Sequence, residues 1–372
     1  MSDLFPCFAS AAFGLEGLVA RELRALSLPD VRAENGGVRF SASLSDLFLC
    51  NLTLHTCDRV WILAAEKPCH TFEDLFQLVL SVPWEDYLSG REALNVSAKC
   101  ARSQLMSPRD CQSVSKKAMI ERLKRKKGLT LFPEDGALFF VSVSVHSDLV
   151  RVLINLSGES LSRRGYRTWN GEAPLRETLA SALVSLSPWG KDLPLWDPCC
   201  GTGTIPLEAA FLASGRAPGL RRSFAMERYS FCRDLPVEDL RRRAEAEESQ
   251  APLPLIGGSD LDPAALDLAF RHRKQAGFSS GVEFRTLPLQ SLNLEPERGV
   301  FLCNPPYGER LSDRKSCQLL YRDLHALKDR HPGWSLCAIS SDPAFERAFG
   351  RRADKKRRLY NGRLECTFYI YF

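Results

Sequence analysis

The chain has 372 residues, 44% hydrophobic and 26% charged, with 50 Lys and Arg against 45 Asp and Glu for a net charge of +5. That length leaves room for about two or three domains with cores of their own, and no apolar run approaches the roughly 18 residues of a membrane helix, which excludes a helical membrane protein. Thirteen cysteines occur without any Cys-x-x-Cys pair, so neither a metal site nor a disulfide framework is expected; reduced thiols and cytoplasmic residence are the default.

The first strand is expected at Cys7 to Ala11, followed by a helix whose apolar residues Leu15, Leu18, Val19, Leu23 and Leu26 keep a helical period. Gly36 and Gly37 introduce a strand at Val38 to Phe40, Leu44 to Leu54 reads as a helix, and Val60 to Ala64 as a strand. Thr71 is placed to cap a helix ending near Leu80. After a strand at Leu94 to Ala98, a helix from Ser113 to Lys126 carries a dense basic cluster and stops at Gly128. Leu138 to Val145 and Leu149 to Ile154 alternate in polarity around His146-Ser147-Asp148, the pattern of a hairpin. The region reads as an α+β unit with a long basic helix against an antiparallel sheet, an arrangement common among RNA-binding modules.

Residues 158–174, rich in Arg and Gly and without a period, read as a linker. Beyond it, helix Leu175 to Leu186, strand Leu195 to Asp197 and helix Ile205 to Leu212 open an alternating series. The series continues through Leu255 to Asp260, Pro263 to Gln275, Val282 to Leu287, Val300 to Cys303, Leu319 to Lys328 and Ser335 to Ser340. Such alternation specifies a doubly wound parallel sheet of the Rossmann-like kind, with Arg358 to Tyr360 and Glu365 to Tyr371 as an antiparallel pair at its edge. The segment from Ser214 to Leu253 interrupts the series, and its charged stretch Arg241 to Glu248 reads as a solvated face.

Two constellations carry chemistry. Asp197-Pro-Cys199-Cys-Gly201-Thr202-Gly203-Thr204 follows a strand and opens a helix; its glycines let the backbone approach a ligand and the helix N-terminus favours a carboxylate. It lacks both the third glycine of a dinucleotide fingerprint and the Lys of a phosphate loop. Asp260, at the end of the next strand, suits a pair of ribose hydroxyls, while Asp262 ahead of Pro263 suits either that role or an N-cap. A nucleoside with a charged amino-acid tail fits this pair, and S-adenosyl-L-methionine is that molecule. Downstream, Asn304-Pro305-Pro306-Tyr307 follows an apolar strand. The Asn304 side-chain oxygen and the Pro305 carbonyl can accept both hydrogens of a planar amine, and Tyr307 can stack on its ring. Cys303, just before, reads as a core residue.

With these residues in view, the chain resembles the THUMP-domain RNA guanine-N2 methyltransferases, in particular the bacterial group acting on large-subunit ribosomal RNA. The resemblance rests on Gly14-Leu15-Glu16-Gly17-Leu18, Trp84-Glu85, Lys116-Lys117-Ala118, Arg164-Gly165-Tyr166-Arg167, Ala173-Pro-Leu-Arg-Glu-Thr178, the 197–204 turn, Ala217-Pro-Gly-Leu220, Asn304 to Leu311 and Leu359-Tyr-Asn-Gly362. It implies a ferredoxin-like segment at 1–55, a THUMP module at 56–157 that grips RNA, and a class I methyltransferase domain at 175–372. It maps Asp197, Gly201 and Gly203 onto the cofactor turn, Asp260 onto the ribose acid, and Asn304, Pro305 and Tyr307 onto the acceptor pocket. Where many relatives carry an Asp for the adenine amino group this chain has Pro288, which leaves Gln290 or a backbone group for that task.

RNA contacts are expected from Lys116, Lys117, Lys124, Arg125, Lys126 and Lys127, and from Arg164 and Arg167. A second basic run, Arg351 to Arg358, divides evenly between RNA contact and a solvated loop. The expected reaction is transfer of a methyl group to the N2 of a guanine in 23S ribosomal RNA. A transfer RNA guanine is the near alternative, and a noncatalytic RNA-binding assembly factor the more distant one. The tetrapeptide also occurs in DNA adenine-N6 and protein glutamine methylases, against which the N-terminal module argues.

Overall fold

The computed structural model describes residues 4–167, 175–307 and 311–372, and the chain divides into two units. The first comprises Met1–Ala11, Val19–Leu161 and Ser223–Arg243; the second comprises Ala12–Leu18, Ser162–Arg222 and Ala244–Phe372. Division by space therefore departs from division by sequence at the interruption after Ser214.

In chain order the N-terminal elements are β1 (Phe5–Ser10), α1 (Glu16–Ala25), β2 (Arg32–Glu34), β3 (Gly37–Ala42), α2 (Leu44–Thr53), β4 (Arg59–Pro68), α3 (Phe72–Ser81), α4 (Trp84–Tyr87), β5 (Ala93–Ala101), α5 (Pro108–Lys127), β6 (Leu138–His146) and β7 (Leu149–Asn155). Their strands form one sheet in the order β2-β3-β1-β4-β7-β6-β5. On β6, Phe139, Val141, Val143 and Val145 are buried while the residues between them are not, so register is fixed by which face meets the core. Ser147 and Asp148 both take positive φ, 50° and 61°, the geometry that lets a two-residue hairpin follow the twist of its strands. The expectation of a wholly antiparallel sheet needs correction. β5 pairs with β6 in parallel, because α5 crosses over between them and returns the chain to the same end.

Helix α5 begins earlier than its basic cluster suggests. Ser107 caps it, accepting from the Asp110 amide at 3.3 Å, and Pro108 occupies the first turn, where its missing N–H costs nothing. Gly128, at φ 64°, ends it.

The remaining elements are α6 (Glu177–Leu186), β8 (Leu195–Asp197), α7 (Thr204–Ser214), α8 (Val237–Ala246), β9 (Ile256–Asp260), α9 (Pro263–Ala276), β10 (Val282–Thr286), β11 (Gly299–Cys303), α10 (Leu311–Arg330), β12 (Trp334–Ser340), α11 (Phe345–Phe349), β13 (Lys355–Asn361) and β14 (Leu364–Tyr371). The second sheet runs β10-β9-β8-β11-β12-β14-β13. Its first five strands are parallel, β14 joins β12 antiparallel and β13 joins β14 antiparallel, as the alternation of elements and the expected edge pair specify. Apolar cores cover both faces, one around Leu183, Ile205, Leu302 and Phe368, the other around Trp196, Phe301, Tyr321 and Trp334. Both faces of a parallel sheet must be covered in this way. Gly299 makes room for Trp334, since a Cβ there would stand 2.8 Å from the indole.

The stretch read as a linker is folded where it is described. Arg164 is 3% exposed and Ser162–Arg167 belong to the second unit, while Trp169 and the rest of 168–174 lie outside the described residues. Among the described residues no helix is long and apolar enough to cross a membrane.

Candidate active site

β8 lies between β9 and β11, parallel to both, with Asp197 opposite Gly258 and Trp196 opposite Phe301. The three strands therefore end on the same edge of the sheet, where open α/β folds bind ligands. Their last residues are Asp197, Asp260 and Cys303. The turn after β8, the acid after β9 and the tetrapeptide after β11 are thus neighbours by topology, although more than forty residues separate each from the next.

Hydrogen bonds hold the turn from within and from β9. Asp197 Oδ1 accepts from the Cys199 amide at 2.9 Å, the Cys200 amide donates to Ser259 O at 3.0 Å, and the Gly201 amide donates to Asp260 Oδ2 at 2.8 Å. His272 Nδ1 lies 3.2 Å from Thr202 O. Gly203, at φ 82°, could not carry a side chain, because a Cβ would meet Phe284 Cζ at 2.7 Å. Gly201, at φ 50°, faces open space instead, with nothing within 4 Å of the position a Cβ would take. The turn is anchored on one side and open on the other, the shape that a backbone cradle requires.

Asp197 is 2% exposed, and burial pushes its carboxyl well above the usual carboxylate range; the nearby Asp260 charge raises it further, while the Cys199 amide opposes the shift. Asp260 Oδ1 also accepts from the Asp262 amide at 3.1 Å. Asp262 itself is the N-cap of α9, its Oδ1 accepting from the Ala264 amide at 2.9 Å, as its capping reading expects. Cys199 and Cys200 thiols are raised by burial, and neither is poised as a thiolate.

At the acceptor end, Cys303 is fully buried with Sγ 3.8 Å from Cys337 O, as a core residue. Tyr307 lies against Asn304. Its hydroxyl donates to Asn304 Oδ1, and burial raises its ionisation well above that of a free phenol. Pro306 O accepts from the Tyr321 hydroxyl at 2.9 Å, and Tyr321 is fully buried on α10. Tyr321 was not among the expected site residues, and no motif marks it; only the fold brings α10 under the loop. Residues Gly308 to Arg310 lie outside the described residues. Gln290 sits after β10 with its Nε2 donating to Asp323 on α10 at 2.7 Å.

The expected RNA contacts sort into two groups. Arg164 is a correction: its side chain pairs with Glu208 at 3.1 Å, both side chains essentially unexposed at 2% and 0%, and Glu208 also accepts from Tyr166 Oη at 3.1 Å and from Ser181. A buried guanidinium cannot reach a phosphate. Arg167 is likewise enclosed, 9% exposed, bonded to Leu175 O and Thr204 Oγ1 and 3.5 Å from Glu177. On α5, Lys116 pairs with Glu134 at 2.6 Å and Arg125 with Glu121. Lys117 lies 6.0 Å from the Phe76 ring, and Lys116, Lys117 and Lys124 line a shallow groove with Ser113 and Ile120. Arg125, Lys126 and Lys127 are exposed at the end of the helix. The second basic run is partly consumed within its own unit: Arg351 pairs with Asp354 at 2.8 Å, Lys356 with Glu346 at 2.8 Å, and Arg357 donates to Gly14 O at 2.6 Å.

Comparison with known proteins agrees with this geometry. Residues 6–61 match the RlmL ferredoxin-like domain, 69–154 the THUMP domain and 164–370 the RMKL-like methyltransferase domain. A putative RNA methyltransferase, YpsC of Bacillus subtilis, is 34% identical over 99% of this chain and 96% of its own length. The ribosomal RNA large subunit methyltransferase K/L of Syntrophotalea carbinolica is 33% identical over 96% of this chain; the chain spans about half, 52%, of that relative. A crystal structure of SMU.472, a putative methyltransferase complexed with SAH, superposes with a TM-score of 0.93 at 37% identity, covering all of this chain and 99% of the other. The chain belongs to the family of RMKL-like methyltransferases that carry an RlmL ferredoxin-like domain and a THUMP domain ahead of the catalytic one.

Proposed function

We propose that this enzyme transfers a methyl group from S-adenosyl-L-methionine to the exocyclic N2 of a guanine in large-subunit ribosomal RNA. The observation that carries the proposal is the convergence of the Gly201 turn, Asp260 and Asn304 to Tyr307 on one edge of three adjacent parallel strands. The names of the K/L relatives support a ribosomal substrate, and the THUMP match supports RNA rather than DNA or protein.

The residues fit the cofactor. Gly201 leaves a cradle open where a Cβ would stand, and the N-terminus of α7, which begins at Thr204, offers unpaired amides to a carboxylate. Asp260 spends one lone pair of each oxygen on backbone amides and keeps the others for ribose hydroxyls. Cys199, Thr202 and Thr204 complete the wall, and Gln290 retains its amide oxygen as an acceptor for an adenine amine. When bound, S-adenosyl-L-methionine supplies an electrophilic methyl group. Asn304 Oδ1 and Pro305 O accept the two hydrogens of the guanine amine and turn its lone pair out of the ring plane. Tyr307 hands its place on Oδ1 to that amine and lays its ring on the base, and Tyr321 keeps the loop in place through Pro306. Positioning supplies most of the acceleration, and the proton leaves to water. A guanine within a duplex must be flipped out first. Lys116, Lys117, Lys124, Arg125, Lys126 and Lys127 on α5 hold the RNA backbone, in the cytoplasm where ribosomes are made.

Asn304→Ala tests the reading. Methyl transfer to ribosomal RNA is lost while SAH affinity, measured by calorimetry, stays within about twofold; undiminished transfer refutes the clamp. Nucleoside mass spectrometry of ribosomal and transfer RNA from cells with and without the gene assigns the substrate. Loss of N2-methylguanosine from transfer RNA alone refutes the ribosomal assignment.

A further inference from the structure

Residues 223–243 interrupt the methyltransferase sequence yet pack within the first unit. The reason is chemical. Tyr229, 3% exposed, donates from Oη to Asn155 O at 2.7 Å and accepts from the Phe140 amide at 3.2 Å, and its ring lies 4.6 Å from that of Phe139. The Met226 amide donates to Leu156 O at 3.0 Å, the Phe224 ring meets Phe48 edge-on, and Arg241 lies over Phe48 at 5.4 Å. Arg241, expected on a solvated face, is thus part of the packing. This strap lies beside the start of β6 and carries three groups to the rim of a cavity of about 340 Å³: Arg228, Ser230 and Arg233. Arg91 and Ser89, ahead of β5, line the same cavity.

The two carboxylates in its wall are already engaged. Glu92, 6% exposed, accepts from the amides of Ser89, Gly90 and Arg91 at 2.8, 3.0 and 3.2 Å and from Ser230 Oγ at 3.2 Å. Glu227 accepts from the Phe224 amide at 2.6 Å and pairs with Arg241 at 3.1 Å. Arg228 and Arg233 are exposed and enter no ion pair among the described residues. Arg91 donates to Asp135 from Nε at 3.0 Å and from Nη2 at 2.7 Å, in a pair whose side chains are 71% and 48% exposed; water screens a pair so exposed, and the guanidinium stays accessible to another anion.

We propose that this arginine-lined cavity, built jointly by the strap and the β5–β6 end of the first sheet, is a binding site for RNA backbone phosphate. The proposal rests on the RNA reading above and gives the interruption after Ser214 a purpose. Guanidinium groups present paired donors matching the oxygens of a phosphate, and serine hydroxyls beside them complete a polar floor. Three arginines from two distant chain segments converge there, which a merely solvated surface does not require. The site is separate from the α5 groove, which is lined by other residues.

The test compares the full chain with the Arg228→Ala, Arg233→Ala double variant, whose lost side chains are exposed and whose fold should survive. Each phosphate contact contributes about 0.7–0.9 to the slope of log affinity against log salt. The variant should therefore bind a ribosomal RNA fragment about tenfold or more weakly at low salt, with a slope smaller by roughly 1.5, while SAH affinity is unchanged. Unaltered affinity and slope overturn the site but leave the RNA reading intact. A wild-type protein that binds neither ribosomal nor transfer RNA overturns both. A variant that loses only inorganic phosphate binding and keeps its RNA affinity overturns the assignment to RNA.

Discussion

Arg164 separates a structural role from an RNA-binding one more sharply than any other residue. Its Nη2 lies 3.1 Å from Glu208 Oε2 and its Nε 3.5 Å from Oε1, in a setting that leaves 2% and 0% of the two side chains exposed. At that distance the attraction is about 5 kcal/mol for an effective dielectric near 20, and desolvation of both ions offsets most of it. Arg164→Ala removes the attraction and keeps the desolvated carboxylate, so the loss should be about 3–5 kcal/mol, or roughly 10 °C in the melting midpoint of a unit this size. Arg164→Met combined with Glu208→Gln removes the charge, keeps an acceptor for one of the Tyr166 and Ser181 hydroxyls and offers the other an amide N–H to accept, and should return to within about 1 kcal/mol of wild type. Urea unfolding at pH 7, followed by calorimetry and by filter binding to RNA, reads all three proteins. If Arg164→Ala unfolds like wild type and binds RNA weakly instead, the buried-pair argument is wrong.

Asp260→Ala removes the acceptor of the Gly201 amide at 2.8 Å together with the carboxylate proposed to hold the ribose; SAH affinity by calorimetry should fall about 10- to 100-fold, and an unchanged affinity would place the cofactor elsewhere. Tyr321→Phe deletes a 2.9 Å bond to Pro306 O, and kcat should fall roughly 3- to 10-fold, as for one net hydrogen bond, at unaltered SAH affinity; a normal kcat would show that the prolines alone hold the loop. Glu85 is held by Arg122 through contacts of 2.9 and 2.6 Å, and this partner lowers its carboxyl to about 2. Because the folded value lies below the unfolded one, its contribution is present above about pH 4.5 and lost as pH falls through about 2. Glu85→Gln should cost about 1 kcal/mol at pH 7 after solvent screening, the gap closing toward pH 2 in urea titrations; a gap independent of pH would point to packing.

What could be read from the chain were the features that repeat locally. The alternation of Phe139, Val141, Val143 and Val145, the turn at Ser147-Asp148 and the series from Leu195 to Ser340 each record which face meets the core, and each is realised. β2 escaped because Arg32-Ala33-Glu34 is a largely exposed edge with no apolar signal. Arg164 escaped because its charge reads as surface, while the residue that neutralises it lies 44 positions away on α7. The parallel pairing of β5 and β6 was hidden because a single strand's period does not tell the direction of its neighbour. At the turn after β8, Asp260 was legible as an acid ending a strand, whereas its bond to Gly201 needs the adjacency of β9 and β8.

The contact between Tyr307 and Asn304 bears on how the proposed clamp would work. An amide oxygen partly withdrawn from water and left without a donor is costly, on the order of 1–3 kcal/mol. Tyr307 satisfies Asn304 Oδ1, so the acceptor is held in readiness without that cost. On the proposed reading, an arriving base amine would exchange one hydrogen bond for another instead of claiming an idle acceptor. In the proposed mechanism the ring displaced by that exchange is the one that would cover the base. The backbone of the loop is held by the two prolines and by Tyr321 through Pro306 O. Such a clamp would favour an acceptor group that carries a hydrogen-bond donor, because a group without one would displace the tyrosine hydroxyl and leave Asn304 unpaired.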